Sequence, residues 1–510
     1  MKEDSKIIKK GLIVSIVVCI GKVIGFLKQA VIAWAFGAGI ETDIYFAADS
    51  YIAMIGQVQS ASISPSILTN YIKLKENGKL KEAKEILRDA YIFFPIVAVV
   101  LIILNVVFSG PISEILGKAF NAAQRNEVQW FLISLSPVIL LTSCAGVAQG
   151  ILEGNERFTP TKWLSLIFSV SIIVCTVLFH KKIGIKSMLI GFILGYVLHT
   201  VYVVWCSREY VDMSIANPLK NRYFMLTIKN MIPLVLGNTI VDLGNLLGKV
   251  IASSLDEGSI SVLYYGQVIS NDLVNAVIIT TIGTVLLPTL TKEISNQTHE
   301  GEISNRIKDI LIFALTLIGL VVTLYIVEGL DLIRIFFERG NFGEDSSIRV
   351  AKISVCYAMG FCFMACREIL VKAHYAYQDT ISPMRNGIFG VIINASLSLF
   401  LAKRYGVYGI AIASSISMAI MMILLMNTLK KHVKSFNADR KFCLDILKIV
   451  ISMIISILIG YSFNKMLSNV FIRLMGVSAL IVLVYLGVLL IIGQTKMKAI
   501  FSSIKTIIRR

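Results

Sequence analysis

Two lysines, Lys22 and Lys28, sit among Ile, Val, Phe and Gly in an apolar stretch that runs from about Gly11 to Ala35. A charge at the centre of a bilayer costs roughly 2.5–3.5 kcal/mol, so it ordinarily faces a cavity or a partner rather than lipid. Six residues apart on one straight helix, the two amines differ by about 9 Å in height and ~120° in azimuth. Gly21 and Gly25 can bend or thin that helix and let both amines reach one cavity. A mobile ammonium on a long stem suits an anion, a phosphate above all, that must be bound and then released. The competing reading is that an amine snorkels towards the interface, more readily for Lys28 than for the deeper Lys22.

Other polar residues fall inside later apolar runs. The second run holds Asp49, Gln57 and Gln59, the seventh Asn238, Asp242, Asn245 and Lys249, and the eighth Gln267, Asn271 and Asp272. Asp242 shares a helical face with Asn245, and Asn245 with Lys249. They build a polar cavity wall or a cation site, or else simply bond within and between helices. Arg367, Glu368 and Lys372 read as an ion-pair face. Cys356, Cys362 and Cys366 cluster without CxxC spacing or nearby histidines, which suits small buried apolar residues better than metal ligands. No phosphate-binding loop and no outward loop rich in acids and histidines is present, so the reading is not an enzyme. Ion gradients, membrane potential or mass action must supply the energy.

The elements that position these residues are membrane helices. Of the 510 residues 56% are hydrophobic, and the mean hydropathy is +0.77. A bilayer accepts that much apolar surface and a soluble fold of this size does not. Spans are expected at 11–35, 44–72, 87–109, 127–152, 160–179, 184–206, 231–255, 260–292, 307–327, 348–375, 384–402, 407–430, 442–464 and 470–493. The net charge of +17 lies mostly in the connections, as in Lys73 to Arg88 and Lys430 to Lys441. That is the positive-inside pattern, with both termini cytoplasmic and no nucleic-acid partner implied. The first run is too long for a cleavable signal peptide and has no small-residue cleavage site after it.

The chain also repeats itself. Pro65-Ser-Ile-Leu-Thr69 is echoed by Pro288-Thr-Leu-Thr291, Gly154-Asn-Glu-Arg-Phe-Thr-Pro160 by Ala376-Tyr-Gln-Asp-Thr-Ile-Ser-Pro383, and Lys182-Ile-Gly184 by Arg404-Tyr-Gly406, at offsets of 223, 223 and 222. The expected fold is therefore an all-α polytopic membrane protein of 14 transmembrane helices: two homologous six-helix lobes plus two C-terminal helices. The lobes are residues 1–206 and 231–430, with a linker at 207–230 and an addition at 431–510. Two such lobes imply a central cavity and alternating access by rocking.

Gly25-Phe-Leu-Lys-Gln29, Phe36-Gly-Ala-Gly39 and Thr42-Asp43 resemble the amino-terminal signature of MurJ/MviN-type lipid II flippases. So do Phe337-Glu-Arg-Gly-Asn-Phe342, His374-Tyr-Ala-Tyr-Gln-Asp-Thr380 with Pro383, and Gly409-Ile-Ala-Ile-Ala-Ser-Ser415. The resemblance spans essentially the whole chain and implies the multidrug/oligosaccharidyl-lipid/polysaccharide exporter fold. It implies export of undecaprenyl-pyrophosphate-linked peptidoglycan precursor, lipid II, from the inner to the outer leaflet of a bacterial cytoplasmic membrane. Membrane lipids and cell-wall synthesis proteins are the partners it suggests. It places spans 1, 2, 7 and 8 around a cationic cavity, and spans 13 and 14 along a groove for the lipid tail.

By position Lys22 and Lys28 stand where the family has arginines, Asp43 matches the acid after the FGxG turn, and Lys249 adds a further cation for the substrate. Gln57 (or Gly56) and Gln267 replace expected arginines, and Gln29 replaces an acid. A cation site for Na+ as coupling ion is implied at Asp242, Asn394 and Ser414, where Ser398 replaces an expected carboxylate. The missing arginines make the cavity less cationic and leave another lipid-linked glycan (O-unit, capsule or teichoic precursor) as the alternative substrate. A drug/cation antiporter of the same superfamily fits the lysines less well. A glycosyltransferase would need more outward acids than Asp43, Glu338 and Asp345, and a scaffold would need no intramembrane charge.

Overall fold

The computed structural model describes residues 2–211, 214, 216–281, 290, 294, 299–437 and 439–493, with side chains described from 17 to 270 and from 290 onward within those ranges. The Pro288-Thr-Leu-Thr291 echo, apart from Leu290, lies outside the described residues, as do the side chains of Asn271 and Asp272 and the Arg509–Arg510 end. Among the described residues there are helices and no strands. The chain runs through α1 (Lys2–Phe36), α2 (Ile40–Glu76), α3 (Leu80–Leu116), α4 (Ala122–Leu135), α5 (Pro137–Gly154), α6 (Thr159–Lys162), α7 (Leu164–Ile183) and α8 (Lys186–Ser207). It continues with α9 (Arg222–Ala252), α10 (Ser259–Thr281), α11 (Glu300–Phe337), α12 (Glu344–Ala376), α13 (Ile381–Tyr405), α14 (Val407–Leu429), α15 (Arg440–Asn464) and α16 (Val470–Ile491).

Among the described residues, 12 helical stretches are long and apolar enough to cross a membrane. Of the two other long helices, α2 has 37 residues and a more polar sequence, and α10 runs for 23 residues up to the edge of the described segment. Large apolar side chains stand exposed around the helices, Val107, Phe400 and Leu483 among them, which is the surface a bilayer covers. The fourth expected span is two helices. Pro137 lacks the N–H that would continue α4 into α5, and Asn105 of α3 stitches the break by donating to Leu132 O (3.0 Å) and Ser136 Oγ (2.7 Å).

By contact the chain divides into two compact units. One comprises residues up to Ser261 together with Arg339–Phe342; the other comprises Val262–Glu338 and the chain from Gly343 onward. This division differs from the repeat boundary because α9 packs with α2 in the first unit. Ile63, Ile67, Ile86, Leu87, Phe94 and Ile151 form a core in the first unit, and Ile307, Leu311, Ile369, Leu370, Leu425 and Tyr485 one in the second. The Phe337–Phe342 motif straps the end of α1. Asn341 donates its backbone N–H to Trp34 O (3.0 Å) and its side-chain amide to Ala35 O (2.7 Å). Gly340, at φ 59°, lies so close that a Cβ would meet Trp34 O at 2.4 Å.

Candidate functional site

The first unit holds most of the polar side chains that the sequence singles out. α1 is continuous from Lys2 to Phe36, so Lys22 and Lys28 keep their helical offset. Lys22 is exposed and lines a recess of about 350 Å³ with Thr161, Lys162, Ser165, Phe168 and Tyr196. Lys28 Nζ stands 4.9 Å from the centroid of the same Phe168 ring, a cation–π contact. One aromatic side chain of α7 thus touches the surroundings of both amines.

Asp49 on α2 carries the counter-charge. Its carboxylate, half-buried, lies within the electrostatic reach of Lys249 first and Lys28 second, and its Oδ1 has no hydrogen-bond partner. Lys249 Nζ reaches α2 as well, donating to Ser50 Oγ at 2.5 Å, and the Ser50 hydroxyl in turn donates to Phe46 O. Three helices, α1, α2 and α9, therefore bring two ammonium groups and one carboxylate together. Among the described residues the cluster holds two cations and one anion, an arrangement that suits an anionic ligand.

Asp43 does something else. It is buried at the start of α2 and accepts from the N–H of Gly258 (2.8 Å), the N–H of Ser261 (2.7 Å) and the Ser261 hydroxyl (2.6 Å). Those amides are the orphan donors at the N-terminus of α10, so Asp43 caps a helix from 215 residues away in sequence. Its oxygens are already engaged by the fold. Gln57, itself exposed, lines an open chamber in the first unit instead. Gln267, Asn394 and Ser414 are half-buried in the second unit, while Asp242 is half-buried in the first. Asn394 Oδ1 receives the Ser398 hydroxyl at 3.4 Å, and Arg367 pairs with the adjacent Glu368.

Sequence reasoning passed over Lys162 and Phe168 and named Asp49 only as part of a polar cavity wall. Asp49 was visible as an acid inside an apolar run, but its partners come from two other helices. Lys162 sits at the edge of a span, where a lysine is unremarkable until the fold places it beside Lys22. In the second unit one cavity is of another kind, about 800 Å³ and almost wholly apolar, with Leu315, Met359, Phe363, Ile420, Ile446 and Met453 in its wall. Cys356, Cys362, Cys366 and Cys443 line it, in keeping with small apolar roles.

The chain matches the family described as "Lipid II flippase MurJ" over residues 32–490. It belongs to that family. A probable lipid II flippase MurJ of Vibrio cholerae is 22% identical over 83% of this chain and 82% of its own length. The corresponding protein of Buchnera aphidicola from Acyrthosiphon pisum is 24% identical over 89% of this chain and 90% of its own. Among solved structures, a lipid II flippase MurJ in an inward closed conformation superposes with a TM-score of 0.80 at 23% identity, over 94% of this chain and 98% of that one. An inward-facing MATE family multidrug transporter of the MOP superfamily gives 0.63 at 11% identity, over 81% and 95%. Membership of the MurJ family and the many apolar helices make the chain a multi-pass protein of the bacterial inner membrane. It is a transporter rather than a catalytic enzyme.

Proposed function

We infer that the chain is a lipid II flippase, carrying the undecaprenyl-diphosphate-linked peptidoglycan precursor from the inner to the outer leaflet by alternating access. The observation that carries this reading is the cluster of Lys28, Asp49 and Lys249 beside the Lys22 recess, in a chain of this family. In the resting site Asp49 balances Lys28 and Lys249. A diphosphate outcompetes a single carboxylate for the two ammonium groups, because it offers more charge and more acceptor oxygens. Lys22 and Lys162 extend the cationic surface to a second phosphate. Lysines release such a ligand more readily than bidentate arginines do, which suits a carrier.

The apolar cavity of the second unit matches the chemistry of a polyprenyl tail, and membrane lipids solvate the remainder. An inside-negative potential contributes about 2.3 kcal/mol per charge per 100 mV to outward movement of a net anion. The positive-inside pattern sets both termini in the cytoplasm. Asp43 positions α2 against the start of α10, and Gln57 and Gln267 replace cations with neutral hydrogen-bonding groups. Sodium as coupling ion belongs to the same reading. Asp242 in the first unit, and Asn394 and Ser414 in the second, each carry an oxygen donor of the kind a hard cation takes.

The test is complementation in cells depleted of their own flippase, with lipid II exposure at the outer leaflet as readout. Wild type is expected to restore exposure, and Lys22→Ala and Lys28→Ala to lose at least ten-fold of it at equal membrane abundance. Failure of a correctly inserted wild type would move the assignment to another lipid-linked glycan.

A further inference from the structure

The chamber that Gln57 lines is half open and has a volume of about 380 Å³ in the first unit, in the size range of small-ligand sites. Its polar lining is nearly all uncharged: Gln57, Ser60, Thr142, Gln149, Tyr196 and His199, from α2, α5 and α8. The exception, Glu153, is already engaged by Gln149 Nε2 (3.0 Å), Lys162 Nζ (3.3 Å) and the Thr161 hydroxyl (3.4 Å). The chamber adjoins the Lys22 recess, because Leu164 and Tyr196 line both. A cationic recess and a neutral hydrogen-bonding chamber are therefore neighbours in one unit.

His199 shows that this lining lacks a partner. It is 4% exposed, and neither ring nitrogen has a hydrogen bond among the described residues. A buried polar group left unsatisfied pays its desolvation without return, so native structures rarely keep one without a reason. A neutral imidazole offers one donor and one acceptor, which a hydroxyl or an amide of a ligand can meet together. Tyr196 adds an apolar ring face with a polar tip, packed in place by Phe168 and Phe192 at centroid distances of 5.2 Å each.

We propose that this chamber is a sugar subsite: with the second phosphate of the diphosphate at Lys22 and Lys162, the first sugar attached to it enters between α2, α5 and α8 and is read by His199, Gln149 and Gln57. The proposal rests on the flippase reading and deepens it. It assigns recognition of the headgroup to neutral residues of the first unit, and it gives the otherwise orphaned imidazole a role. The glutamine at position 57, where the family resemblance leads one to expect an arginine, then becomes a contact to hydroxyl or acetamido groups rather than a lost phosphate contact.

The experiment uses the purified full-length protein in nanodiscs and two probes, undecaprenyl diphosphate without a sugar and undecaprenyl diphosphate carrying one N-acetylated sugar. Wild type is expected to bind the sugar-bearing lipid about ten-fold more tightly than the bare one. His199→Phe should bring that ratio close to one, His199→Gln should retain most of it because an amide keeps a donor and an acceptor, and Lys22→Ala should weaken both probes. Equal affinity of wild type for the two probes overturns the subsite while leaving the flippase reading standing. Binding of neither probe overturns both. The wild-type comparison decides the matter even if a variant folds poorly.

Discussion

The turn after α5 and the turn after α12 are built alike and furnished differently. Glu156 and Gln378, 222 residues apart, are the only non-glycine residues of positive φ among those described, and both stand at 58°. The next residue closes each turn in the same way: Arg157 N–H donates to Leu152 O (2.8 Å) and Asp379 N–H to His374 O (3.0 Å). One helix later Gly184 and Gly406, again 222 apart, share φ 58° and 57°. Arg157 then reaches the segment after α8, pairing with Glu209 at 3.5 Å and hydrogen-bonding Tyr210. Asp379 reaches the segment after α14, accepting from His432 at 2.8 Å, and residues 210 and 432 are also 222 apart. The backbone frame is kept because a turn tolerates few conformations. The tether on it needs only some polar pair, so its polarity has reversed.

The largest departure between the two repeats is steric. Ser187 and Gly409 occupy equivalent positions, each donating its N–H to the turn glycine's carbonyl, at 3.1 and 3.0 Å. Ser187 carries its Cβ there without difficulty, whereas a Cβ on Gly409 would lie 2.4 Å from both C and O of Leu401. The hairpin of α13 and α14 therefore closes more tightly than that of α7 and α8. Gly409→Ser, which installs the residue of the other repeat, should destabilise the protein by about 3 kcal/mol because backbone cannot step aside. The reciprocal Ser187→Gly should cost less, about 1–2 kcal/mol, from helix propensity and the lost hydroxyl bond to Gly184 O (2.8 Å). Thermal unfolding in detergent checks both, and equal losses would remove the claim of a tighter second hairpin.

The tethers come next. Asp379 also accepts the Ser382 N–H (2.9 Å) at the start of α13, with its side chain 14% exposed, whereas Arg157 is 43% exposed. Burial alone would raise the Asp379 carboxyl, but the Ser382 N–H and His432 outweigh it and hold the group below the usual carboxylate range. Asp379→Ala should cost about 1–2 kcal/mol, the loss of a helix cap. Arg157→Ala should cost less than about 1 kcal/mol, the worth of an exposed pair. A carboxyl depressed in the folded state stabilises above its unfolded value near 4 and loses that contribution as pH falls towards the folded value. The difference in unfolding midpoint between wild type and Asp379→Ala should therefore be full at pH 7 and shrink below about pH 4. His374, Tyr377 and His432 face the same carboxylate neighbourhood, so the titration is best read as this difference between two proteins.

What was legible in the sequence follows the range of each interaction. The membrane helices, the repeat offset and the turn glycines are local requirements, and they stand in the chain as runs and spacings. Lys22 and Lys28 were visible because a charge in an apolar run is conspicuous. Asp43 looked like a cavity acid because nothing nearby in sequence announces the α10 amides it caps. The break at Ser136–Pro137 was hidden inside a continuous apolar run, since a broken membrane helix stays apolar on its lipid side and takes its repair from Asn105 on another helix. His199 reads as a core histidine in isolation; only the surrounding chamber shows that its nitrogens are unmet. The site became readable where one residue's type was anomalous, and stayed hidden where three ordinary residues from different helices converge.

The finest test of the shared frame is at Glu156 and Gln378 themselves. A left-handed conformation costs a side-chain-bearing residue roughly 1–2 kcal/mol, and glycine removes that cost while adding about 0.5–1 kcal/mol of unfolded-chain entropy. Glu156→Gly and Gln378→Gly should therefore each stabilise the protein by at most about 1 kcal/mol, the smallest effect expected here. Both residues are exposed and sit at the same φ, so backbone strain alone predicts equal shifts in unfolding midpoint. Equal shifts would mean that each repeat retains its strained turn for geometry, since the turn aims residues 157 and 379 at their tethers. A gain at Gln378 with a loss at Glu156 would mean instead that the first turn keeps its side chain for a contact, and that the two turns have diverged in more than their tethers.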